Sequence, residues 1–157
     1  MSINPKWDRR FLDLAKHIAS WSKDPSTQVG AVIVQADNQI VGLGYNGFPR
    51  GVVDSDERLN DRPTKYAMVV HAEVNAILMA GDRAHGGTIY VWPSFSIPCI
   101  CQECCKVAIQ KGVKEIVGYT PTPEDAERAK RWQESINVSR IMCDEAGVTY
   151  REVAQPE

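Results

Sequence analysis

Short apolar, β-branched runs alternate along this chain with longer segments of helical period, and that alternation most limits the folds open to it. "VGAVIV" (29–34), "IVGLGYN" (40–46), "GGTIYVW" (86–92), "VKEIVGY" (113–119) and "VTYREV" (148–153) have the length and residue types of strands. "DNQ" turns the chain between the first two and predicts a hairpin. In "NPKWDRRFLDLAKHIASWS", Trp7, Phe11, Leu14, Ala15, Ile18 and Trp21 recur at helical spacing, with Asn4 as N-cap and Pro5 at the first helical position, so a helix is expected from about 5 to 22. "VVHAEVNAILMAG" sets Val70, Val74, Ile77 and Leu78 on one stripe and closes at Gly81. Cys104, Cys105, Ala108 and Ile109 form another stripe ending at Gly112, and "TPEDAERAKRWQESINVSRIMCDEAG" reads as helix with a break near Asn137.

The order β-β-α-β-α-β predicts an α/β domain with a mixed sheet of about five strands and helices on both faces. Strands joined through helices should be parallel. The whole chain, 1–157, is expected to form one domain. The stretch 47–66 is polar, has no clear period and reads as a long loop, of the kind that is usually functional or mobile.

Composition narrows the function classes. No apolar run approaches the roughly 18 residues of a membrane span, and the start "MSINPKWDRRFLDLAKH" scatters charges where a secretory signal needs an apolar core. A soluble, cytoplasmic protein is expected. A formal charge of −2 and a pI near 5.9 argue against a nucleic-acid polymer as partner, while leaving room for a small anionic ligand held by a few local cations. Five cysteines, four of them crowded into "PCICQECC", favour a metal or catalysis over disulfides in a reducing compartment.

Cys101 and Cys104 form a C-x-x-C at the opening of a helix, so both sulfurs can face one point, and the helix N-terminus favours their thiolates. His71 opens another helix. If the two helix starts meet at one sheet edge, as α/β architecture favours, one His and two Cys leave a fourth zinc position for water. Glu73, two residues after His71, would stand beside the metal rather than on it.

An H-x-E followed by P-C-x-x-C is the pattern of zinc nucleobase deaminases. Here it reads "HAE" at 71–73 and "PCICQEC" at 98–104, and the chain resembles that superfamily, most closely the deoxycytidylate (dCMP) deaminases. "KDPSTQVGAVIV", "GYNGFPRG", "TKYAMVVHAEVNAIL" and "CQECCKVAIQKGVKEIV" are similar to that family's segments in the same order, over about residues 7–119. One departure stands out: Pro98 is followed by Cys99 and Ile100 before Cys101, and "WPSFSIPCI" is longer than the usual link. Either Cys101 and Cys104 are the ligand pair, or Cys99 takes the place of Cys101. The tight pair is the expectation, because "CKVAIQKGV" then aligns with the family without a further gap.

The resemblance implies a cytidine-deaminase-like three-layer α/β/α sandwich, one catalytic Zn2+, and hydrolysis of dCMP to dUMP and ammonia. It implies Glu73 as the acid and base that moves protons between water, N3 of the ring and the leaving amine. Asn46 is expected at the sugar and the Ala72 N–H near the pyrimidine, with Lys65, Arg50 and Arg83 as candidates for the 5′-phosphate. Many members are hexamers switched by dCTP and dTTP. Alternatives are a 5-modified dCMP or another cytosine nucleotide or nucleoside as substrate, a polynucleotide deaminase, and a non-catalytic nucleotide-sensing zinc protein. Cys99, Cys105 and Cys143 are expected to be small buried hydrophobes rather than a second metal site. Arg50, Arg58 and Arg62 are read as solvating their loop, and "EDAERAKRWQE" as a solvated helix, with Trp132 marking a subunit contact.

Overall fold

The computed structural model describes residues 5–157, so the Asn4 cap lies outside the described residues. Helix α1 (Pro5–Ala19) leads into the hairpin of β1 (Gly30–Gln35) and β2 (Gln39–Tyr45). The short helices α2 (Asp56–Asn60) and α3 (Arg62–Met68) follow, then α4 (Ala72–Ala80) and β3 (Thr88–Trp92). The remainder runs α5 (Gln102–Gln110), β4 (Glu115–Tyr119), α6 (Pro123–Ala129), α7 (Gln133–Ala146) and β5 (Thr149–Val153). The five strands lie in the order β2-β1-β3-β4-β5. β1 is antiparallel to both β2 and β3, whereas the helix-linked β3, β4 and β5 run parallel, as the crossover argument expects.

Alternate residues of each strand feed two cores. Ala31, Ile33, Ile89, Val91 and Ile116 pack under α4, α5 and α7, while Val32, Val34, Tyr90, Val117 and Tyr119 pack against Phe11, Leu12 and Ala15 of α1. The sheet therefore sits between two helical layers, as expected.

Several boundaries differ from the sequence reading. α1 ends at Ala19 rather than 22, its chain tightening as Trp21 N and Ser22 N donate to the carbonyls of Ile18 and Ala19. Trp7 and Trp21, placed on the buried stripe by period alone, remain partly exposed. The segment 47–66 is not one irregular loop. Ser55 caps α2 by accepting from Arg58 N, and Pro63 sits in the first turn of α3, where its missing N–H has no helical partner to lose. The break in the last helical region falls at Lys130–Trp132 rather than near Asn137. α7 runs through Asn137 because Ile136, Ser139 and Cys143 share one buried face.

The seating of α4 matters most for the site. Its apolar stripe is not the expected one: Ala72, Ala76, Ile77 and Ala80 are buried, while Leu78 is 72% exposed. Small residues line the contact because α4 lies directly on β2. A Cβ at Gly44 would overlap the Ala72 carbonyl oxygen and Ala76 N, and one at Gly42 would overlap the Ala76 carbonyl. This close approach carries the first turn of α4 to the end of the hairpin where Asn46 stands.

Candidate active site

Two helix starts converge, as the sequence predicted. His71 is the N-cap of α4, and Cys101 is the N-cap of α5, its sulfur accepting from Cys104 N at 3.5 Å. His71 Nδ1 lies 3.2 Å from Cys104 Sγ and 3.5 Å from Cys101 Sγ. The three donor atoms all lie within 4.8 Å of one another. Cys99 is not among them. It is buried, its sulfur points toward Gly118 of β4, and burial pushes its thiol up to about 12.

The electrostatics of the donor set suit a soft divalent cation. Hydrogen bonding from the Cys104 thiol, followed by that from His71, outweighs burial and pulls the Cys101 thiol down to about 4. The same bond and burial push Cys104 up. The two sulfurs are thus pushed in opposite directions, and hydrogen bonding to Cys101 raises His71 to about 9. Zinc binds deprotonated sulfur and neutral imidazole, so an ion here would displace the protons carried by the thiols and by His71 and be held by all three donors. Three protein donors, rather than four, is the complement of a catalytic zinc.

Glu73, in the first turn of α4, is buried beside them. Burial raises its carboxyl above the ordinary value, against the opposing charge of His71. A carboxyl raised in this way holds a proton more readily than an ordinary surface carboxylate, as a group that accepts and returns one must.

These groups open into a cavity of about 640 Å³. The long link before Cys101 forms one wall, contributing Phe95, Ser96, Cys99 and Ile100. α7 holds it: Ser139 Oγ donates to the Ile100 carbonyl at 2.9 Å, Gln102 N donates to Ser135 Oγ at 2.9 Å, and Arg140 donates to the Ile97 carbonyl at 3.2 Å. The opposite wall is segment 24–29. Asn46 braces it, its Oδ1 accepting from Val29 N and its Nδ2 donating to the Thr27 carbonyl, both at 2.9 Å.

Of the expected substrate contacts, Asn46, Ala72 and Lys65 line the cavity, and Arg50 and Arg83 do not. Lys65 is spent locally, in a buried ion pair with Asp24 at 3.2 Å. Sequence reasoning missed the cations that do reach the cavity: Arg62, Arg128 and Arg131, with Tyr66 and Trp132 beside them. Arg128 and Arg131 stand in "EDAERAKRWQE", where a helical period looks the same whether its charged face meets water or a cavity. Cys105 and Cys143 are buried 3.6 Å apart between α5 and α7, consistent with packing rather than a metal role.

An α/β/α layering that brings one His, two Cys and an unligated buried carboxyl to a single cavity defines a zinc-dependent hydrolytic enzyme of the deaminase type. Residues 5–120 match the cytidine and deoxycytidylate deaminase zinc-binding region. The chain belongs to that family. It is 44% identical over 143 residues, covering 91% of this chain and 90% of the relative, to an uncharacterized deaminase in the luxG 3′ region of Aliivibrio fischeri. It is 38% identical over 156 residues to the deoxycytidylate deaminase of Homo sapiens, covering 93% of this chain and 79% of that one. Among solved structures, dCMP deaminase of the cyanophage S-TIM5, in complex with dCMP and dUMP, shares the fold with a TM-score of 0.70 at 21% identity, covering 97% of this chain and all of that one. Acinetobacter baumannii RibD matches with a TM-score of 0.62 at 23% identity, covering 95% of this chain but 35% of that one.

Proposed function

We propose that this protein is a zinc-dependent deoxycytidylate deaminase, converting dCMP and water to dUMP and ammonia. The observation that carries the reading is Glu73: a buried carboxyl at the start of α4, two residues after one of three converging zinc donors and facing a cavity of nucleotide size. His71, Cys101 and Cys104 would hold the ion, which would supply a Lewis acid that makes water nucleophilic at neutral pH. Glu73 would take one proton from the attacking water and deliver it to N3 of the cytosine ring as the oxygen bonds to C4, then take the remaining proton of that oxygen and pass it to the amine as C4=O forms, the C4–N bond breaks and ammonia leaves. The first turn of α4, beginning at Ala72, directs backbone N–H groups into the same space and favours developing negative charge there. Asn46 fixes the floor on which the sugar rests through its two bonds to segment 24–29.

The reading extends to a homo-oligomer, a hexamer by family resemblance, responsive to dCTP and dTTP. Association of copies is supported by the exposed apolar side chains Leu78 and Met79 on α4 and Val107 on α5.

The test is ammonia release from dCMP, cytidine, deoxycytidine and dCTP by the wild type and by Glu73→Gln. Turnover of dCMP should dominate, and Glu73→Gln should lose about 10²–10⁴-fold in kcat while keeping its zinc. Release from the nucleosides with none from dCMP would refute the reading.

A further inference from the structure

We infer that Arg128 and Arg131, carried by α6 and the turn after it, are the groups that recognise the 5′-phosphate; the inference rests on the nucleotide reading above. Apart from the zinc donors, the cavity is lined by two carboxylates, Asp24 and Glu73, and four Lys and Arg side chains. Of the carboxylates, Asp24 accepts from Lys65, Ser26 N and Thr27 N, and Glu73 sits against the zinc donors. Lys65 is therefore neutralised where it stands. Arg62, Arg128 and Arg131 have no carboxylate partner among the described residues. An excess of guanidinium groups at the rim of a buried reaction centre is suited to a dianion entering behind a neutral base.

Arg128 is placed for this rather than merely solvated. Its Nη2 donates to Thr27 Oγ1 at 2.9 Å, and its guanidinium lies 5.1 Å from the centre of the Phe95 ring. It thereby spans the mouth from segment 24–29 to the link before Cys101, the two walls already described. A guanidinium has five N–H donors in a plane. The single bond to Thr27 leaves the others for a phosphate, which Arg binds in bidentate fashion. Arg131 rests over Trp132, 5.4 Å from its ring, and Trp132 meets Tyr66 of α3 edge-on at 6.3 Å, so the second cation is also braced by aromatic surface lining the cavity. Thr27 links the two ends of the ligand: its carbonyl accepts from Asn46 and its hydroxyl from Arg128. A nucleotide whose sugar meets Asn46 then has its 5′ side directed toward α6.

The experiment compares binding of dUMP and deoxyuridine by titration calorimetry on the zinc-loaded wild type, Arg128→Ala, Arg131→Ala and Arg128→Lys, with kcat and KM for dCMP alongside. In the alanine variants the preference for dUMP over deoxyuridine should fall roughly 10- to 100-fold, as loss of a charged hydrogen-bonding partner predicts, mostly as KM. Arg128→Lys should recover part of it. Equal losses for dUMP and deoxyuridine, or a preference that persists in both alanine variants, would overturn the assignment and leave the nucleotide reading standing. A wild type that neither prefers dUMP nor deaminates dCMP would overturn both.

Discussion

Replacing Gly44 by alanine tests the central structural claim, that α4 reaches the site by lying directly on β2. The added Cβ would stand 2.9 Å from the Asn75 carbonyl carbon and closer still to the Ala72 carbonyl oxygen and Ala76 N. Ordinary contact needs about 3.5 Å, so the first turn of α4 must retreat by on the order of 1 Å. The obstacle is helix backbone, with no flexible side chain to yield. Overpacking of this kind costs about 1–3 kcal/mol, which for a chain of this size lowers Tm by roughly 2–12 °C. Because the displaced turn carries His71 and Glu73, a misplacement of about 1 Å should also reduce kcat/KM for dCMP by about 10²-fold. Gly47→Ala is the control: its Cβ meets nothing within 4 Å, and its expected effect lies between none and a slight gain from the stiffer unfolded chain. Thermal denaturation, zinc content and dCMP kinetics on both variants give the answer. A Gly44→Ala enzyme with the Tm and activity of Gly47→Ala would refute the reasoning.

Cys101→Ser should lose zinc and activity while Cys99→Ser keeps both, measured as metal content and ammonia release; the reverse pattern would reassign the ligand. Lys65→Met strands the buried Asp24 carboxylate and should cost about 3 kcal/mol or more, seen as a lowered Tm; a raised KM with an unchanged Tm would instead make Lys65 a substrate contact. Asp8 is buried, but its bonds from Arg151 at 2.7 and 2.8 Å and from the Tyr90 hydroxyl at 2.7 Å outweigh burial and hold its carboxyl below the ordinary value. A depressed folded pKa means that this stabilisation is complete above about pH 4 and is lost as pH falls through the lowered folded value. Asp8→Asn should therefore lower Tm at neutral pH and flatten the acid limb of Tm against pH; an unaltered acid limb would refute this.

What could be read from one dimension shares a physical origin. Strand runs, helix periods and the turn between β1 and β2 are local signals, and the metal set was legible because His71 and the Cys101–Cys104 pair each sit at a helix start, where spacing alone determines which way a side chain faces. The choice between Cys99 and Cys101 also follows local geometry, since only Cys101 caps α5. Contacts between distant segments decided the rest. Leu78 read as core, yet Gly42 and Gly44 rotate the small residues of α4 inward and leave Leu78 in the open. Lys65 read as a free cation until Asp24, 41 residues away, was found against it. Arg128 read as solvent-facing until Thr27, 101 residues away, accepted from it across the mouth of the cavity. Helical period records that a face is charged but not what faces it, so the chemistry at the centre was set by sequence-local spacing and the identity of its rim by tertiary packing.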